Sequence, residues 1–333
     1  MQTFVCVLFF FVRPVTNPAG CCTMSDMKKY RFKPRFKIII IALCLLALVI
    51  GVIAAVNYYP TYKAEQRAKQ IQEDFMEIPE YDGPNATKIP VMTYHMLISS
   101  DDNKHTDTYG ASLFVRQDEF ETHMKYLNDN GYRTIGTREM YLWHQGKIKL
   151  PPKSVMITFD DGDYSVIKFA LPILKKYDQR AIIFSIGKEA LEETTDTQET
   201  EKGNYFSTGQ DAIKVITENY PKFEFQSHTY DMHSKINGEP ALLVSSYQEQ
   251  VDDFKIMTQE LHFTTMAYPF GKYSKTTIKA AKAAGVKMAF TYGEDQYTTR
   301  DQSIYELGRI KVNAGASLNA FTKWLAPVDS IDN

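Results

Sequence analysis

The sequence predicts an α/β protein, an irregular (β/α) barrel of about seven parallel strands preceded by a single transmembrane helix. Two observations predict this fold class. From Ile89 onward, short β-branched runs alternate with amphipathic stretches over about 245 residues, a length that suits a barrel better than a small open sheet. Nearer the N terminus, residues 38–56 carry no charge and no proline.

The predicted membrane anchor is residues 38–56, close to the roughly 20 residues that span a bilayer as a helix. Six basic residues lie from Lys28 to Lys37, directly before it. Because positive flanks stay in the cytoplasm, we expect a single-pass cell-membrane protein whose remaining residues are extracellular. A cleavable signal peptide is the alternative, but the apolar run is long for one and no small-residue cleavage site follows.

The sequence divides into four predicted parts. Residues 1–23 fit poorly before a membrane anchor, and a start at Met24 or Met27 would give a more conventional anchored protein. Residues 61–75 are polar and read as a helical stem or a disordered linker, and Pro79, Gly83 and Pro84 then break the chain. The parts are a cytoplasmic N terminus (1–37), the anchor (38–56), a stem or linker (57–83) and a folded catalytic domain (84–333).

Charge and cysteine content exclude several classes of protein. After residue 56 the chain holds 31 basic and 39 acidic residues, so it lacks the basic surface that nucleic acid requires. All four cysteines precede residue 45, which excludes a disulfide framework in the folded domain. The aromatic content of 13% is ample for a large core.

Short β-branched runs and amphipathic stretches give the expected elements. The candidate strands are Val91–Tyr94, Arg133–Ile135, Val155–Phe159, Ala181–Ile186, Phe223–Gln226, Thr265–Tyr268, Val286–Phe290 and Leu307–Val312. The candidate helices lie near Asp118–Asn130, Val166–Tyr177, Tyr247–Leu261 and Lys275–Ala284.

Acidic and imidazole side chains follow two of these strands. Asp160 and Asp161 come directly after Val155–Phe159, where a barrel keeps its active site, although Asp-Asp-Gly is also ordinary turn chemistry. His228 and His233 follow Phe223–Gln226, and at a spacing of five neither a helix nor a strand would direct both at one ion. A loop could, and one carboxylate with two imidazoles suits a catalytic metal site.

Three ordered motifs resemble those of the polysaccharide deacetylase superfamily, carbohydrate esterase family 4, also called the NodB homology domain. They are Thr158-Phe159-Asp160-Asp161-Gly162, His228-Thr229-x-x-x-His233 and Ala267-Tyr268-Pro269-Phe270-Gly271. The run from Ile89 to His95 also resembles the opening strand of the biofilm poly-N-acetylglucosamine deacetylase branch. The resemblance covers the chain from about Ile89 to the C terminus.

The resemblance implies a role for each of the motif residues. Asp161, His228 and His233 would bind one divalent metal ion, with zinc favoured on chemical grounds and cobalt, nickel or iron as alternatives. Asp160 would be the catalytic base that accepts the proton of the attacking water. His95 would be the general acid, since no histidine follows His262 to fill that role as in many relatives.

Five further residues receive roles around this site. Ala267 stands where many relatives carry an arginine that pairs with the base, and Arg309, near the end of the last candidate strand, could supply that charge. Tyr268, Pro269 and Phe270 are expected to line the sugar groove, because aromatic faces pack against pyranose rings. Asp231 could orient a ligand histidine or form an Asx turn.

The sequence therefore predicts a metal-dependent hydrolase that N-deacetylates an extracellular amino-sugar polysaccharide, either poly-N-acetylglucosamine or the peptidoglycan of the cell wall. An O-acetyl esterase acting on xylan or another acetylated glycan is the alternative in chemistry. A catalytically inactive glycan-binding protein is the alternative from another class, although a base beside a metal triad is unnecessary for binding alone.

Overall fold

The computed structural model describes residues 43, 45–47, 78–101, 111–192, 208–292 and 296–329. The chain divides into two compact units, Met1–Arg67 and Ala68–Asn333. In the first unit the few described residues are helical, and the rest of the predicted anchor and the predicted stem lie outside the described residues. Within the described part of the chain, no helix is both long and apolar enough to cross a bilayer.

The second unit contains strands and helices in alternation. The strands are β1 (Lys88–Ile89), β2 (Val91–Tyr94), β3 (Met96–Ile98), β4 (Phe114–Arg116), β5 (Arg133–Thr134), β6 (Ser154–Phe159), β7 (Ala181–Ser185), β8 (Phe223–Ser227), β9 (Lys235–Ile236), β10 (Glu239–Pro240), β11 (Thr265–Ala267), β12 (Met288–Phe290), β13 (Thr298–Thr299) and β14 (Ile310–Lys311). The helices are α1 (Gln117–Asp129), α2 (Thr137–His144), α3 (Leu171–Lys176), α4 (Gly187–Glu192), α5 (Gln210–Asn219), α6 (Ala241–Val244), α7 (Tyr247–Gln259), α8 (Lys275–Ala284) and α9 (Leu318–Asp329).

Seven parallel strands form the central sheet in the order β12-β11-β8-β7-β6-β2-β14, and β5 also pairs with β6. The sheet curves into a half-barrel whose two ends approach each other just before β14. Leu307 makes a parallel bridge to Phe290 of β12, while Ile310 of β14 pairs with Met92 of β2. The predicted α/β architecture of about seven parallel strands is therefore confirmed.

Both faces of the central strands are buried, which explains their continuous apolar sequences. In β6, Val155, Ile157 and Phe159 pack into one hydrophobic cluster, whereas Met156 packs into another. The neighbouring β7 shows the same alternation, with Ile183 in the first cluster and Ile182 and Phe184 in the second. Because successive side chains point to opposite faces of a strand, one layer faces the outer helices and the other fills the barrel.

Helices cover the outer face through apolar stripes of helical spacing. In α1, Phe120, Met124 and Leu127 lie at positions i, i+4 and i+7 and belong to the same cluster as the odd-numbered residues of β6. From α9, Phe321 and Leu325 join this cluster. Burial of this stripe, rather than intrinsic helix propensity, is what stabilises such helices.

The stretch predicted as one helix over Val166–Tyr177 is divided in the structure. Val166–Ala170 forms a π-helical turn, and α3 begins directly after it at Leu171. Pro172 explains the change, because proline lacks the N–H group that would continue a regular α-helical ladder across this point.

The N terminus of α7 provides the first testable prediction. The Oγ atom of Ser246 accepts a hydrogen bond from the backbone N–H of Glu249, whose side chain accepts one from Ser246 in return. Removing this capping box with Ser246→Ala should lower the free energy of unfolding by about 1 kcal/mol and the melting temperature by about 2–4 °C. Ser246→Asp retains an acceptor and should keep most of the stability; equal losses in both variants, measured by thermal denaturation, would contradict the capping role.

Candidate active site

The carboxyl ends of the parallel strands meet at one edge of the half-barrel, and the predicted metal and acid–base residues are drawn from this edge. His95 follows β2, and Asp160 and Asp161 follow β6. His228 follows β8, and its backbone N–H donates to the Ser185 carbonyl at the end of β7 over 2.8 Å. The site is therefore built from the ends of three strands of a single sheet, with β7 lying between β6 and β8.

Asp161, His228 and His233 come together as the sequence predicts. The Asp161 Oδ1 atom lies 3.5 Å from His228 Nε2 and 3.3 Å from His233 Nε2. One ligand atom from each residue lies within 4.8 Å of the other two. Ligands placed about 2.0–2.2 Å from a tetrahedral zinc ion are about 3.4 Å apart, so these three donors fit such an ion.

The Nδ1 atom of His228 lies 2.9 Å from the backbone carbonyl oxygen of Ala267, at the end of β11. Because a carbonyl oxygen only accepts, Nδ1 carries the proton and Nε2 keeps its lone pair for a metal ion. Metal-binding histidines are commonly oriented by a hydrogen bond of this kind. Ala267 thus contributes to the site through its backbone carbonyl group.

The charge states of the three donors suit metal binding. Burial lowers the pKa of His228 to about 3, against the opposing effect of Asp160, and burial also lowers the pKa of His233. Both imidazoles are therefore neutral at neutral pH, as ligands must be. Burial raises the pKa of Asp161 to about 6, with His95 opposing this rise, and a bound cation would favour the ionised carboxylate.

Asp160 forms a buried, bidentate ion pair with Arg309. The Nη1 and Nη2 atoms of Arg309 donate to Oδ1 and Oδ2 of Asp160 over 2.7 and 2.8 Å, and its Nε donates to the Thr291 carbonyl oxygen over 2.6 Å. Burial by itself would raise the pKa of Asp160, but Arg309 and then His228 outweigh it and hold that pKa well below its usual value. Arg309 precedes β14 directly, rather than lying near the end of a longer strand as expected.

A tight turn separates the two adjacent carboxylates. Asp161 has a φ of 73° and Gly162 a φ of 85°, both in the left-handed region. A Cβ atom on Gly162 would lie only 3.0 Å from the Cα atom of Ser185. This turn explains how Asp160 can face Arg309 while the next residue, Asp161, faces the two histidines.

His95 lies beside this ion pair, half-buried, with its ring packed edge-on against Tyr292. The two ring centroids are 5.3 Å apart and the planes are inclined by 68°. The guanidinium carbon of Arg309 lies 5.7 Å from the centroid of the same tyrosine ring. Tyr292 is a site residue that the sequence reasoning missed, since a single tyrosine after a late strand carries no distinguishing pattern.

The predicted sugar-lining residues Tyr268, Pro269 and Phe270 do not behave alike. Tyr268 is fully buried and stacks on Tyr273, with its hydroxyl donating to the Tyr305 carbonyl oxygen, so its assignment to an open sugar groove was wrong. Pro269 is buried as well. Of the three residues, Phe270 alone is exposed, by 36%.

Phe270 projects towards the metal ligands from a strained turn. It is a non-glycine residue with a φ of 57°, and its ring centroid is 4.6 Å from that of His233. Left-handed backbone in a residue with a bulky side chain is costly and is maintained only where surrounding contacts enforce it. The turn therefore presents one aromatic face at the rim of the site.

The contact that holds this turn yields a second prediction. Gly271 has a φ of 66°, and a Cβ atom there would overlap the backbone carbonyl oxygen of Tyr292. Gly271→Ala should therefore lower the free energy of unfolding by about 2–3 kcal/mol. Gly131→Ala is the matched control, because Gly131 has a φ of 71° but nothing within 4 Å of the added atom. Equal losses in urea denaturation would contradict a role for the Tyr292 contact.

Comparisons with known proteins agree with this fold. A family model described as polysaccharide deacetylase matches residues 147–289. YxkH of Bacillus subtilis (strain 168), whose name places it among polysaccharide deacetylases, is 34% identical over 266 residues, covering 79% of this chain and 85% of YxkH. The poly-β-1,6-N-acetyl-D-glucosamine N-deacetylase of Staphylococcus aureus (strain MRSA252) is 29% identical over 219 residues, covering 63% of this chain and 71% of that protein.

A solved structure gives an independent likeness in fold. The Streptococcus pyogenes deacetylase PplD in complex with acetate superposes with a TM-score of 0.59. The match covers 72% of this chain and 99% of PplD at 24% sequence identity.

Proposed function

Because the chain belongs to the polysaccharide deacetylase family, we propose that it removes N-acetyl groups hydrolytically from a polysaccharide that contains N-acetylglucosamine, in a metal-dependent reaction. The observation that carries this proposal is the juxtaposition of a three-donor metal site, Asp161, His228 and His233, with the buried Asp160–Arg309 pair. Poly-β-1,6-N-acetylglucosamine is the first candidate substrate, because the S. aureus relative is named for it. Peptidoglycan is the second.

The donor set fits one divalent cation, with zinc as the first choice and cobalt, nickel or iron accepting the same ligands. Such an ion, when bound, polarises the acetyl carbonyl group and lowers the pKa of water at the site. Asp161 would hold it through a carboxylate oxygen, and His228 and His233 through their Nε2 atoms.

Asp160 and His95 would move the protons. Asp160 is kept ionised by Arg309, so it is ready to accept the proton of the attacking water as general base. His95 lies beside the same pair and would donate a proton to the leaving nitrogen. Amide hydrolysis requires that donation, because an unprotonated amine anion is a very poor leaving group.

Phe270 would provide the contact with the sugar. Its exposed ring lies beside His233, and the faces of aromatic rings pack well against pyranose rings.

We also propose that residues 38–56 anchor the chain in the cell membrane with residues 57–333 outside the cell, since six basic residues directly precede that apolar stretch.

The test is to count the products of the purified full-length chain, with detergent present. Metal-loaded and chelated samples are incubated with poly-N-acetylglucosamine oligomers, and free acetate and new amines are measured. Equal, metal-dependent release of both supports N-deacetylation. His233→Ala should abolish it, whereas His262→Ala, which changes an exposed histidine outside the metal triad, should not.

Two other outcomes would replace the proposal. Release of acetate without amines from an O-acetylated xylan would identify an esterase. Binding of acetylated glycans without release of acetate from any of them would identify a glycan-binding protein.

A further inference from the structure

We infer that Asp253, a residue of helix α7 outside the metal triad, is a positioning residue for the metal centre and fixes the loop that carries both histidine ligands. This inference rests on the metal site of the proposed function. The loop runs from His228 to His233, so its backbone conformation decides whether the two imidazoles converge on one ion. Asp253 is distant in sequence from both ligands and belongs to none of the motifs.

The Asp253 carboxylate binds two successive backbone groups of the loop. Oδ1 accepts a hydrogen bond from the N–H of Tyr230 over 2.8 Å, and Oδ2 accepts one from the N–H of Asp231 over 2.7 Å. Both oxygens are thus used on the segment between the ligands. Hydrogen bonds from backbone N–H groups to a carboxylate are short and strong, so they restrain the loop from the side of the helix.

The loop needs such restraint because its backbone is strained. Thr229, directly after the first ligand, has a φ of 71°, a value that a β-branched residue rarely adopts. Its N–H donates to the Ser227 hydroxyl over 3.1 Å, and its own hydroxyl accepts from the N–H of Met232 over 3.2 Å. The carbonyl oxygen of Thr229 accepts from the N–H of Gly187 over 2.9 Å.

Asp253 completes this network by accepting hydrogen bonds from two further backbone N–H groups of the loop. The N–H groups of His228, Thr229 and Met232 all find partners on β7, β8 or the loop. The N–H groups of Tyr230 and Asp231 donate to the two carboxylate oxygens of Asp253. Removing the carboxylate would leave two adjacent donors unsatisfied next to a strained residue, and the loop would relax away from the metal-binding geometry.

A carboxylate at this place is unfavourable except for these two bonds. Asp253 is only 7% exposed and lies on the helix face that buries Val251, Phe254 and Met257. Burial raises the pKa of Asp253 to about 6, against the opposing effect of the Asp231 and Tyr230 donors. By contrast, the preceding residue Asp252 is exposed and accepts a hydrogen bond from the Gln248 side chain of the same helix.

The test measures metal binding by the full-length chain, without substrate. Asp253→Asn removes one acceptor and turns a donor towards the loop, whereas Asp252→Asn makes the same chemical change on the exposed face. Zn²⁺ and Co²⁺ are titrated into the stripped proteins by calorimetry. Asp253→Asn should raise the Kd for both ions about 10- to 100-fold, while Asp252→Asn should leave it unchanged. The rise in melting temperature caused by metal should shrink in Asp253→Asn alone.

A merely structural role predicts a different result. It would lower the melting temperatures of the metal-free and metal-loaded Asp253→Asn protein equally, with an unchanged Kd, and that outcome overturns the inference. If Asp253→Asn does not fold, amide hydrogen exchange in the wild type decides instead. The amides of Tyr230 and Asp231 should be as protected as those of β8, and rapid exchange at both would overturn the inference.

The failure of this inference is distinguishable from the failure of the proposed function. A wild-type chain that binds neither ion contradicts both. A wild-type chain that binds metal and releases acetate, together with an Asp253→Asn variant that binds metal equally well, contradicts this inference alone.

Discussion

Asp160→Asn is expected to lower kcat about 10²- to 10⁴-fold while the protein still binds its metal ion. The substitution replaces the proposed general base by an amide that cannot take up a proton, and general-base catalysis typically contributes a factor of this size. Metal binding should persist because Asp160 faces Arg309, whereas the three metal donors are Asp161 and the two histidines. Both quantities are measured on one preparation, by acetate release and by metal content.

Two controls make the Asp160 result specific. Asp163→Asn changes another acid of the same turn, whose side chain accepts a hydrogen bond from the Ser165 N–H, and it should retain most of the activity. Because Asp160→Asn also leaves Arg309 without its counter-charge, the assay is run at a temperature at which circular dichroism shows the variant folded. Full activity of folded Asp160→Asn would refute its role as base.

Arg309→Ala is expected to lower the free energy of unfolding by about 3–5 kcal/mol, because it leaves a buried carboxylate without its partner. Asp160 is 2% exposed and Arg309 is 1% exposed, so neither charge is solvated by bulk water in the folded chain. The pKa of Asp160 should rise once its burial is no longer opposed by Arg309, so a smaller fraction of the base should be ionised at a given pH and kcat should fall.

A double-mutant cycle separates this pair from a general loss of packing. In Asp160→Asn/Arg309→Ala neither charge remains, so the double variant should be less destabilised than the sum of the two single variants. Arg309→Lys keeps the charge but not the bidentate geometry and should be intermediate. Arg300→Ala, at an exposed arginine, should change little. Additive losses in urea denaturation would contradict the coupling.

The site residues that could be predicted from the sequence are those that follow directly after a strand. Asp161 lies just after the continuously buried strand β6, and His228 follows β8, in which buried and half-buried residues alternate; parallel strands bring such positions to one edge. The distance between Arg309 and Asp160 could not be predicted from the sequence, because it depends on β14 pairing with β2. Tyr268 was misjudged because the residue after a strand can turn into the core or out of it, and the local pattern does not distinguish the two.

The sequence does contain an indication that Asp253 has a buried role. The predicted helix near Tyr247–Leu261 has an apolar stripe through Val251, Phe254 and Met257, and Asp253 lies on the same face. A lone acid on a buried face needs a partner, and this one has two backbone donors. Asp231 is the residue that the sequence suggests for orienting a ligand histidine, but its carboxylate pairs with Lys188 at the surface, 2.7 Å away.

The helices and strands that the sequence did not predict are short or have weak hydrophobic patterns. The hairpin of β9 and β10, directly after His233, consists of two-residue strands that no periodicity can indicate. Helix α5 buries only Ile213 and Ile216, a stripe too narrow to separate from a loop by spacing. Helix α2 has eight residues, and polar, apolar and aromatic side chains are mixed along it.

The order of the strands in the sheet implies that the active site is completed late in folding. β2 near the beginning of the domain lies between β6 and β14, so the sheet is complete only after nearly the whole domain has been synthesised and its two ends have met. Such distant pairings close large loops and form slowly. A nascent chain that ends before Arg309 can already contain all three metal donors, yet its Asp160 would be a buried acid without a counter-charge. Catalytic competence is thus expected to be among the last properties that the folding chain gains.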